Sequence, residues 1–190
     1  MSRGVSEKTK KLTLSAVLAA MGVVLLLIGS VVEMLDLSMA AMASFLCIFA
    51  VIELRRGYPW LIYATTATLS IILMPFSLGG WCYLLFFGFY PIIKEKIEKL
   101  GRTSSWIVKI VAYNLLVTAF ICIFKLLFLN DFNIVIEELS VMLGGTDSFA
   151  LMAICVYVTM NVIFVLYDIA LTRLITLYLV RLRAKFKFLK

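Results

Sequence analysis

Catalysis needs reactive side chains, and this chain holds few of them. Histidine is absent. That removes His-ligated haem, His-containing zinc sites and the usual activation of a serine by an imidazole. Cys47, Cys82, Cys122 and Cys155 are scattered through apolar runs with no CxxC pair. They read as small hydrophobes, so neither disulfides nor a metal site are expected. Tyr167 precedes Asp168, but a proton-sharing carboxylate pair needs a second aspartate, and no GxGD segment supplies one. No G-x-x-x-x-G-K-[ST] loop is present to cradle phosphates. The chain is read as a non-enzyme with no catalytic residue, no metal and no cofactor.

What remains is polarity placed within apolar surroundings. Trp81, Tyr83, Lys125, Tyr157 and Asn161 are the candidate substrate-binding residues. Asn161 follows Tyr157 by one helical turn and can project into a pocket or hydrogen-bond a neighbouring helix. Trp81 and Tyr83 fit a ligand wall or an interfacial anchor. Lys125 can snorkel, pair with Asp131 or Glu137, or meet an anionic ligand. Glu33 and Asp36 flank a turn between two apolar runs. Asp168 requires a partner: Arg173 lies five positions on, a poor same-helix match that flexible side chains could still make, and Arg55, Arg56 and Lys109 lie at the same expected depth. An ion pair and a conformational latch both fit.

Helices in lipid must position these groups. The chain is 64% hydrophobic and 15% charged, with mean hydropathy +1.08, far outside the range of soluble domains. About 20 apolar residues cross a bilayer as a helix. The runs give an all-α membrane protein of a single domain with six spans, at 12–32, 35–54, 58–74, 81–96, 106–129 and 148–180. The stretch 58–93 would reach about 54 Å as one helix, too long for a core of about 30 Å. Pro75 and the pair Gly79-Gly80 supply the break. Ser104 or Ser105 is placed to cap the fifth helix. The segment 130–147 alternates apolar and acidic residues loosely at helical spacing, as a lid or an ordinary surface helix would.

Charge orients the spans. With both termini cytoplasmic, every basic residue except Lys125 falls at a cytoplasmic end, and the outer turns hold Glu33, Asp36, Asp131, Glu137, Glu138 and Asp147. The net charge of +7 therefore reads as topology in the cell membrane, with lipid and not nucleic acid as the partner.

The first span contains a run of small residues, Ser15 to Gly22, "SAVLAAMG". Ala16 and Ala20 share one helix face, Ala19 widens it, and small-xxx-small spacing lets helices approach closely. The partner is another helix of this chain or a separate protein at the inner surface. Span two carries the same spacing at Ala40 and Ser44. With its six-span architecture and "TLSAVLAAMG", the chain resembles the substrate-binding S component of an energy-coupling factor (ECF) transporter. The resemblance implies that Ala16, Ala19 and Ala20 dock on a T component, which binds two ATPase subunits. It implies capture of a small solute, such as a vitamin, from outside. The missing N-terminal histidine departs from the nickel and cobalt members. Membrane assembly and morphogenesis proteins of similar fold are the alternative, and a lipid-directed enzyme using Asp168 is a third reading.

Overall fold

The computed structural model describes residues 2–54, 57–127, 129–142 and 149–182. Arg55, Arg56, Asp147 and the basic residues from 183 onward lie outside them. Every regular element among the described residues is helical. Among the described residues, four helical segments are long and apolar enough to cross a membrane: Glu7–Val31, Asp36–Glu53, Thr103–Ile123 and Leu151–Val180. The chain forms two compact units, Met1–Lys109 and Ile110–Lys190.

In the first unit, α1 (Ser2–Val31) turns through a short 3₁₀ segment, Glu33–Leu35, into α2 (Asp36–Glu53). Helix α3 (Tyr58–Leu73) carries Pro59 in its first turn, where the missing N–H costs nothing. The inner face of α2 is made of Ala40, Ala43, Ser44, Cys47 and Ala50, all 0% exposed. Small side chains there let α1 and α3 approach closely, and Leu18, Ala19, Leu26, Ile62 and Ala67 fill the space between them.

The break expected at Pro75–Gly80 is confined to Met74–Ser77; the pair Gly79-Gly80 is helical, because Ser77 caps the chain just before it. The fourth apolar run, moreover, is not one regular helix. It comprises α4 (Leu78–Cys82), a π-helical turn (Tyr83–Phe87) and α5 (Tyr90–Ile97). Pro91 is the physical reason. Its ring lacks an N–H and crowds the carbonyl of the preceding turn. The backbone widens instead, and Gly88 N–H donates to the Tyr83 carbonyl at 2.9 Å. Gly88 is required because a Cβ there would lie 2.6 Å from Tyr63 Cδ2 and 2.8 Å from Tyr83 Cε1.

Helix α6 (Arg102–Leu127) begins directly after Gly101. Ser105 therefore lies inside the helix, its N–H bonded to the Gly101 carbonyl, and caps nothing. The earlier start lets Lys109 meet Glu98 at the end of α5. Helix α7 (Leu129–Met142) takes up residues 130–142 of the segment 130–147, and α8 spans Phe149–Leu177 with a closing π-helical turn, Tyr178–Leu182.

Candidate functional site

The residues singled out from the sequence divide among three places. On α1, Ser15, Ala19 and Gly22 are buried, and the Ala19 carbonyl accepts from Thr66 Oγ1 of α3 at 3.3 Å. Ala16 and Ala20 are exposed, on the stripe that also shows Val17 and Met21 at 51% each and Val24 at 55%. The small residues thus serve two faces. One is spent on packing against α2 and α3 within the first unit, and the other is exposed.

The second place is one end of the first unit, where the α1–α2 turn meets the α3–α4 loop. Asp36 opens α2, where a carboxylate suits the positive end of the helix. It is only 6% exposed. Gly79 N–H donates to Asp36 Oδ2 at 2.7 Å, and Ser77 Oγ donates to the same carboxylate at 3.1 and 3.2 Å. Ser77 also caps α4, its Oγ accepting from Gly80 N–H at 3.2 Å. Hydrogen bonds to a charged group contribute about 1.5–3 kcal/mol each, so Asp36 staples two distant turns together. Trp81 secures the same loop from outside, its indole N–H donating to the Pro75 carbonyl at 2.8 Å. Tyr83, two residues on, is 1% exposed and lies 3.1 Å from Cys47 Sγ.

A half-open cleft of about 650 Å³ lies against this staple. Ser30, Asp36 and Ser77 supply its polar edge, and Met34, Leu37, Leu73, Met74 and Phe76 are among its apolar walls. The volume falls in the range of small-molecule sites, and the composition is that of such sites, apolar with a few polar groups.

The third place lies in the second unit, where α6 and α8 pair antiparallel through three successive rungs. Tyr113 and Phe164 stack with ring centroids 4.4 Å apart. Asn114 and Asn161 exchange two side-chain hydrogen bonds of 3.1 and 3.0 Å. Thr118 and Tyr157 share one of 2.7 Å between their hydroxyls. The expected pair Tyr157 and Asn161 is thus brought together, and its partners are protein groups one turn apart on α6. Lys125 is exposed in the last turn of α6, where a cation complements the helix dipole. Trp81 and Tyr83 belong to the first unit, whereas Lys125, Tyr157 and Asn161 belong to the second.

At the opposite end of α5, Lys94 and Lys109 are buried and converge on the Glu98 carboxylate at 3.5 and 3.0 Å. Tyr90 and Trp106 present ring faces to these ammonium groups. Asp168 is 3% exposed, and its backbone carbonyl accepts from Thr172 Oγ1.

The sequence reading missed Asp36, Ser77 and Gly79 as one unit. A signal was present: Ser77 with Gly80 three residues on is an N-cap arrangement, and Asp36 stands where two apolar runs turn. Comparison with protein-family models, curated proteins and solved structures finds no match.

Proposed function

We propose that this chain is a membrane solute-binding subunit of an ECF-type uptake transporter for a vitamin-like micronutrient. A partner T component and ATPase subunits would energise it. In this reading the chain crosses the cell membrane six times. α3 and the irregular 78–97 segment are the two shorter crossings, and both termini are cytoplasmic.

The observation that carries the proposal is the contrast between two small-xxx-small pairs. Ala40 and Ser44 of α2 are 0% exposed and consumed by internal packing. Ala16 and Ala20 of α1 have the same spacing and are exposed. Two alanines on a face otherwise built of Val and Met leave a shallow groove that a second helix can enter. They follow Lys8, Lys10 and Lys11, which by charge bias mark the cytoplasmic end. The face is therefore at the depth where an inner-surface partner would meet it. A membrane assembly protein of similar fold shares the exposed face, but it has no use for a cleft with a buried carboxylate.

The test is co-expression with a T component and its ATPases. Ala16→Leu or Ala20→Leu should remove the chain from the purified complex while its own thermal unfolding in detergent stays unchanged. Recovery of the full complex with both substitutions in place would refute the docking role.

A further inference from the structure

Three polar clusters among the described residues lie within the apolar helices, and they differ in what they leave unsatisfied. The Asn114–Asn161 rung closes on itself. Lys94 and Lys109 are ion-paired. Asp36 has two donors, Ser77 Oγ and Gly79 N–H, and no ion pair among the described residues. A carboxylate offers about four acceptor sites. A charge removed from water without a counter-charge is costly, and it invites one.

We infer that the Asp36 cleft binds a small organic cation, a protonated amine carried on an apolar body. The inference rests on the solute-binding reading above and names the substrate class for it. Asp36 lines a half-open cavity of about 650 Å³ whose walls include Leu37, Met74 and Phe76. Among the described residues lining that cavity it is the only formal charge. A bare divalent metal ion does not fit, because it needs several oxygen ligands and no group of three metal-ligating side chains exists among the described residues. An anion is repelled. An ammonium group takes the free acceptor capacity of Asp36, and its hydrocarbon body takes the apolar walls. Met34, 97% exposed beside the mouth, leaves entry open.

The experiment uses the purified full chain in nanodiscs and a matched pair of probes, phenethylammonium and 2-phenylethanol, measured by calorimetric titration. The two have the same body and differ in the charged head. The expected result is at least tenfold tighter binding of the amine. Asp36→Asn, which can still accept from Gly79 N–H, should erase that preference. Leu37→Trp narrows the cleft without touching the staple and should weaken both probes tenfold or more. Equal binding of the probes, or no binding of the amine, overturns the inference. So does an amine preference that survives Asp36→Asn, or wild-type binding by Leu37→Trp. No partner protein is needed, so the outcome is separate from the docking test at Ala16 and Ala20. Amine selectivity with an undisturbed complex would sink the transporter reading and leave the cleft standing.

Discussion

The Asp36 staple and the Asn114–Asn161 rung solve one problem in opposite ways. Both hold polar side chains within apolar helices. In the first unit the contact joins a charged side chain to a backbone N–H across 43 positions of sequence. In the second it joins two neutral amides that satisfy each other. The surroundings differ as well. In α1 and α2, 39% of the most apolar window is buried, against 17% in α6 and α8. The first unit is a packed core in which the buried Lys94 and Lys109 are ion-paired, while Asp36 is held by hydrogen bonds from Ser77 and Gly79. The second is a sparsely covered helix pair held by neutral rungs, with apolar faces suited to lipid. The packed core and the cleft therefore belong to the first unit, and the polar pairing of two long helices to the second.

The largest expected effect tests whether the staple is rigid. A Cβ on Gly79 would lie 2.7 Å from the Asp36 backbone oxygen and inside contact distance of its carboxylate. Gly79→Ala must push the α1–α2 turn off α4, at about 2–3 kcal/mol. At Gly80 the same change meets only ordinary contacts, the nearest being Ser77 Oγ at 3.7 Å. Gly80→Ala should be within about 0.5 kcal/mol of the parent. Unfolding midpoints in mixed micelles measure both, and equal effects would mean that the two turns are not held in register.

What the sequence made legible follows the range of the forces involved. The breaks near Glu33 and after α3 are local, set by charge and by turn residues; the first falls where expected, and the second is confined to Met74–Ser77 because Ser77 caps a helix that takes in Gly79 and Gly80. The pairing of Tyr157 with Asn161 is a same-face spacing and was equally visible. Asn114 and Thr118 carry the matching spacing on α6, but only the antiparallel register, a tertiary property, makes them partners. The irregular 78–97 segment had its local signal in Gly88 and Pro91. A reading by apolar length alone passes over it, because hydropathy is blind to a missing N–H. The Asp36–Gly79 contact had no periodicity to betray it. Likewise, spacing put Ala16 and Ala20 on one face, but which face of α1 turns outward depends on how α2 and α3 pack against Ser15, Ala19 and Gly22.

A smaller effect tests whether the rung in the second unit is a closed pair. Asn114→Ala, Asn161→Ala and the double variant form a cycle. The coupling energy should be about 1 kcal/mol, since interhelical hydrogen bonds in lipid contribute modestly. A coupling near zero would mean that each amide is satisfied by its own helix. That alternative has a structural basis, because Asn114 also donates to the Ile110 carbonyl at 2.8 Å and Asn161 to the Tyr157 carbonyl at 2.7 Å.

The smallest effect is expected one turn away, at Tyr157→Phe, and it decides whether the rungs act together. The Tyr157 hydroxyl meets Thr118 Oγ1, but that hydroxyl already donates to the Asn114 carbonyl at 2.8 Å. Since Thr118 spends its proton there, Tyr157 is the donor of the shared bond and Thr118 the acceptor. Removing the phenol therefore strands no buried donor. It leaves one lone pair of a hydroxyl on an exposed residue unmatched, and water or the lipid headgroup region can serve that lone pair. The loss should be about 0.5 kcal/mol or less. If Tyr157→Phe instead costs as much as Asn161→Ala, Tyr157 must be holding Asn161 through the carbonyl that accepts from it. The two residues would then be one cooperative element rather than two rungs.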